Sequence, residues 1–186
     1  MNLQMKKIIF YGFSLFHIPL LFLSSCNIQM NSIVDKNYNA KNKNILILMT
    51  YDAYNESTVE KFQKEFMLKA KNAKNNIQFF TIQQSDVKER LKLNEESVTE
   101  KHINATITES NIDIVIQMIP KKRIVTNGLD SYIRYLAIGH ETIERKEIWK
   151  AQIETDSSLF GTAAMAKKMA MKFYNQLVSD GLISVE

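Results

Sequence analysis

A single cysteine, Cys26, closes an uncharged apolar stretch near the amino terminus, and it is the one thiol in 186 residues. The rest of the chain therefore closes no internal disulfide, and it offers neither a thiol nucleophile nor a cysteine-built metal site. Whatever it folds into must be held by a hydrophobic core alone. Two prolines and five glycines in the whole sequence favour regular elements over long loops.

The segment before Cys26 has an ordered layout. Lys6 and Lys7 precede residues 8–23, an uncharged run broken only by a few polar or small positions and Pro19. A short cationic region followed by an apolar run of this length fits a cleaved export signal and is short for a membrane span. Leu23-Ser24-Ser25-Cys26 comes next: a branched apolar residue, two small ones, then the cysteine. This quartet resembles the lipobox of bacterial lipoproteins. The resemblance implies that the Cys26 thiol takes a diacylglyceryl group, that residues 1–25 are removed as a signal peptide, and that the product is held to a membrane by lipid. Each buried methylene contributes roughly 0.8 kcal/mol, so several acyl chains hold firmly where one holds marginally. Asn27 is not the aspartate that some bacteria use for inner-membrane retention, which points to the outer membrane and a periplasm-facing domain.

Removal of residues 1–25 leaves 161 residues, enough for one domain and a tether. It also removes Lys6 and Lys7, so the formal charge falls from +4 to +2. A surface so nearly balanced gives no case for nucleic-acid binding. Residues 26–43 carry most of six closely spaced asparagines (27, 31, 37, 39, 42 and 44) and few large apolar side chains. That composition reads as a lipidated cysteine followed by a flexible tether, with the globular domain spanning residues 44–186.

Within the domain, residues 45–50 are a continuous branched apolar run, the pattern of a strand buried on both faces. Val59, Phe62, Phe66, Ala70 and Ala73 recur at helical spacing. Residues 77–82 read as a second strand, residues 94–109 as a helix, and residues 112–119 as a third strand ended by Pro120 and the basic run Lys121-Lys122-Arg123. Residues 131–139 and 146–154 read as two more strands, the second alternating Trp149, Ala151 and Ile153 with Lys150, Gln152 and Glu154. Ala163, Ala166, Met169, Ala170, Phe173 and Leu177 make the apolar stripe of a last helix, with Gly181 placed to close it. The order β-α-β-α-β-β-β-α predicts an α/β (α+β) fold: a single mixed sheet of about five strands with helices packed on it.

That element order, the strand at 112–119, the Trp149 strand and the terminal helix ending Ser-Asp-Gly-Leu-Ile are similar to small α/β domains of envelope lipoproteins. The groups meant are the TolB amino-terminal domain, the curli-secretion lipoprotein and the penicillin-binding-protein activators. The resemblance covers roughly residues 44–184 and implies a role in binding or assembling other envelope proteins.

Candidate sites are sparse. Asp52, flanked by Tyr51 and Tyr54, follows the first strand, where ligands of α/β sheets tend to bind; it also suits a turn or a cap. Asp113 belongs to the start of the third strand, where its carboxylate stays wet. Tyr132, Tyr135 and Trp149 suggest an aromatic sheet face for a small ligand or glycan. His102 and His140 lie in no metal-ligand spacing, and no nucleophile elbow or glycine-rich phosphate loop occurs. Lys121, Lys122 and Arg123 suit a solvated loop, an acidic partner or lipid headgroups, and Met165, Met169 and Met171 suit core or an adaptable contact. The expectation is a non-enzymatic binding lipoprotein without cofactor or metal, with a ligand-binding domain or a hydrolase of unfamiliar design (His140, Glu141 and Asp52 with a serine) as the alternatives.

Overall fold

Residues 45–50 do form a strand buried on both faces, and the fold is arranged around it. The computed structural model describes residues 27–51, 56–83, 98–126, 129–156 and 162–185. Strand β2 (Ile45–Tyr51) runs parallel to β3 (Ile77–Gln83) on one side and to β4 (Ile114–Thr126) on the other. Strands β5 (Leu129–Glu141) and β6 (Glu147–Asp156) then add antiparallel beyond β4. With the edge strand β1 (Asn27–Val34), the sheet has six strands in the order β1-β6-β5-β4-β2-β3.

Helix α1 (Glu56–Ala70) connects β2 to β3, α2 (Val98–Glu109) precedes β4, and α3 (Thr162–Ser179) follows β6. The chain moves outward from β2 to β3, then back across β2 to β4. Two crossovers of the same hand must then lie on opposite faces of the sheet. The buried clusters reflect this division. Ile45, Ile47, Met49, Ile114, Ile116 and Met118 point to the α1 and α3 side, while Leu46 and Leu48 join Ile82, Ile103 and Ile112 on the α2 side. On the larger side Phe62, Phe66, Phe79 and Phe173 meet with ring centroids 5.6–6.1 Å apart, at tilts favourable for aromatic contact.

Helix α3 ends as its sequence predicts. Gly181 adopts φ 77°, its N–H donates to Val178 O at 3.0 Å, and Leu182 N–H donates to Leu177 O at 2.9 Å. These are the two bonds of a Schellman closure, and Leu182 folds back into the core.

Two segments depart from the sequence-based expectation. Residues 27–34, expected to belong to a flexible tether, are strand β1, paired antiparallel with β6 from Asn27↔Asp156 to Val34↔Trp149. Ile28 is buried and Met30 and Val34 pack on the core, whereas Gln29, Asn31 and Ile33 are exposed. An edge strand with one covered face needs an apolar residue only at every second position, so average composition understates it. Past β1, the Lys146 ammonium meets Asp35 Oδ2 at 2.6 Å and holds that carboxyl below the usual range; Asp35 N–H donates to Ile148 O. The second departure is β4, which does not stop at Pro120 but continues to Thr126 against β5. The register shifts between Pro120 and Lys122, and a bulge is where a strand tolerates a residue without an N–H.

Candidate functional surface

The parallel strands β2, β3 and β4 all point their carboxyl ends the same way, and β1 begins at that end too. Asp52 and Tyr54, the residues expected at this mouth, lie outside the described residues, as does Cys26. What is described there is an arm. β2 pairs with β4 as far as Met49↔Met118, and β6 ends opposite β5 at Asp156↔Tyr132, yet β4 and β5 remain paired out to Thr126↔Leu129. Lys121, Lys122 and Ile124 are exposed on this arm. Residues 119–134 carry Lys121, Lys122, Arg123 and Arg134 against one acid, Asp130, and Arg134 pairs with Glu154 of β6 at 2.7 Å. The arm was not expected from the sequence, because Pro120 and the basic run after it read as a stop. Asn127-Gly128, the two residues between Thr126 and Leu129, was the available signal, being the pair most favoured in two-residue hairpin connections.

The opposite end of the sheet is tied by polar side chains. Asp113 Oδ2 accepts from Asn44 N–H at 2.8 Å and Oδ1 faces Lys43 Nζ at 3.3 Å, while its carboxylate keeps 27 % of its surface. Asn44 Nδ2 donates to the carbonyls of Ser110 and Asn111, and Thr142 Oγ1 to those of Ile112 and Asp113. Buried Asn75 donates to the carbonyls of Ala40 and Lys43 and accepts from Ser184 N–H at 2.7 Å. Asp113 therefore stays at the strand start, partly wet, and pins the approach to β2.

The aromatic sheet face is not an open platform. Trp149 and Tyr135 each retain 1 % of their surface. The Trp149 indole meets Phe173 edge-on at 6.0 Å and its Nε1–H donates to Asp180 at 2.7 Å. The alternation that puts Trp149 on one face is real, but helix α3 covers that face. Met165 and Met169 are likewise core, and Met171 is exposed. His102 is exposed and stands edge-on to Phe80 at 5.5 Å, while His140 lies at a bulge opposite Glu147. Among the described residues, no group of three histidines or acids is placed to hold a metal. Two shallow depressions lie on the helical side. One, of about 360 Å³, runs between α1 and α3 beside Lys61, Lys64 and Lys167; the other, of about 490 Å³, is bounded by Lys69, Asn72, Tyr174 and Val185.

No family model matches the chain and no curated protein matches it. Solved structures do. A PelC dodecamer from Paraburkholderia phytofirmans superposes with a TM-score of 0.50 at 8 % identity, over 86 % of this chain and 100 % of that one. The lipoprotein GNA1162 from Neisseria meningitidis gives a TM-score of 0.40 at 11 % identity, over 74 % of this chain and 99 % of the other. A PDZ domain protein from Parabacteroides distasonis also gives 0.40, at 8 % identity, over 87 % of this chain and 38 % of its own. At such identities the PelC likeness is one of fold.

Proposed function

We propose that this chain is an exported lipoprotein of the cell envelope, held by lipid on Cys26, whose α/β domain acts by binding or assembling other envelope proteins and not by catalysis. The observation that carries the reading is Leu23-Ser24-Ser25-Cys26 at the end of an apolar export segment. Further support comes from Asn27, which follows the cysteine directly and already belongs to strand β1. On this reading the folded domain begins one residue after the lipidated cysteine. Among the described residues, no helix is long and apolar enough to cross a membrane.

The binding role draws support from the surface. Among the described residues His102 and His140 lie on different elements, Asp113 at the start of β4 is engaged in tying strands, and the β4–β5 arm offers exposed charge for contact. Two measurements test the reading. Cells producing the chain and fed labelled palmitate should show a labelled protein, and Cys26→Ser should abolish the label. Crosslinking in intact envelopes should recover the same specific protein repeatedly; a labelled chain that recovers none would contradict the binding role while leaving the anchor standing.

A further inference from the structure

We infer that the β4–β5 arm is a membrane-docking element that seats on anionic phospholipid headgroups of the bilayer that carries the Cys26 lipid. This rests on the lipoprotein reading above. The geometry starts from one row across the sheet: Asn27 pairs with Asp156, Asp156 with Tyr132, and Tyr132 with Ile124. Neighbouring strands lie about 4.8 Å apart, so the backbone of Ile124 is about 14 Å from that of Asn27. Cys26 is bonded to Asn27 with no spacer, and β1 runs away from it towards Val34. β1 starts with Asn27 at the same end of the sheet at which β4 continues past Ile124 to Thr126. The arm overshoots the row by two residues, about 7 Å. The start of β1, next in sequence to Cys26, and the arm therefore lie at the same end of the sheet.

The chemistry of the arm fits a charged interface. Lys121 and Lys122 are exposed, Arg123 follows in sequence, and Ile124 keeps 42 % of its surface in the open. Cations beside an exposed apolar residue answer the two layers of a bilayer surface, phosphate outside and acyl chain beneath. Strand addition by another protein suits the arm less well. Pro120, two lysines and register shifts at Pro120/Lys122 and Ile124/Val125 are the devices that blunt an exposed edge against pairing.

The test uses the chain from Asn27 onward, which contains every described strand and helix and both buried clusters, and which has no cysteine. Ile124→Cys, labelled with a polarity-sensitive dye, is titrated with vesicles of phosphatidylglycerol and phosphatidylcholine and with phosphatidylcholine vesicles alone. The expected result is a blue shift with the anionic vesicles only, suppressed by salt. Lys121→Gln with Lys122→Gln should weaken it roughly tenfold or more. A dye at Ile143→Cys, in the exposed β5–β6 turn at the far end, should not respond; circular dichroism of each variant establishes that it is folded. No shift at saturating lipid, equal shifts with both vesicles, or insensitivity to the lysine changes would overturn the proposal. So would an equal response to polyglutamate, which would assign the arm to an acidic protein. Palmitate labelling at Cys26 is independent of every one of these outcomes, so failure of the docking and failure of the anchor are told apart.

Discussion

Trp149 and Asp180, 31 positions apart, are joined by an indole N–H donated to a carboxylate at 2.7 Å. The bond ties β6 to the residue that follows α3, and Gln176 Nε2 donates to the other oxygen of the same carboxylate at 3.0 Å. Removing the acceptor strands a donor in the core. Asp180→Ala should therefore cost about 1–3 kcal/mol in urea unfolding, the penalty of an unsatisfied buried group. Trp149→Phe in the Asp180→Ala background should show a smaller further loss than Trp149→Phe alone. Additive losses would mean that the bond contributes nothing.

Tyr38 presents the opposite case, a buried hydroxyl with no hydrogen-bond partner among the described residues. Burial, with the charges of Glu141 and Asp113 adding to it, pushes its phenol up to about 12. The neutral form is favoured in the fold, so the contribution is fully present below pH 10 and is lost as pH rises towards 12. Tyr38→Phe should leave stability at pH 7 unchanged or raise it by up to about 1 kcal/mol. It should also flatten the alkaline fall between pH 10 and 12. A loss above about 1 kcal/mol at pH 7 would show that the hydroxyl does have a partner.

Much of the sheet was legible because its apolar runs are long and unambiguous: residues 45–50, 77–82 and 112–119 seat β2, β3 and the inner half of β4. Helix α3 was legible through its stripe and Gly181. What was lost follows from local averaging. Asn27–Val34 is polar on average and apolar only at every second position, and it is a strand because β6 offers it an edge. Pro120-Lys-Lys-Arg reads as a stop until the bulge that absorbs it is seen. Trp149 was a surface candidate because alternation gives the face but not what covers it.

The strand character of β1 has a direct readout. The alternate amides of Asn27–Val34 that face β6 should exchange with solvent at least roughly a hundredfold more slowly than in a free peptide, while those on the open edge exchange fast. Free-peptide rates at the amides facing β6 would restore the flexible tether expected from composition.

Two glycines should respond to the same substitution for different reasons. At Gly181, φ 77° with open space around it, alanine meets backbone strain alone and should cost about 1 kcal/mol. At Gly139 an added Cβ would lie 3.2 Å from Trp149 Cβ and 3.7 Å from the Ile116 side chain. Crowding there should cost about 1–3 kcal/mol. Chemical denaturation of the two variants separates them, and equal, negligible losses would contradict both readings.

Lipidation at Cys26 is read out by the mass of the amino-terminal peptide from protein extracted out of membranes. That peptide should begin at Cys26 and carry a diacylglyceryl group, with or without a further acyl chain on its amino terminus. An unmodified Cys26, or a mature chain that begins at any other residue, would contradict it.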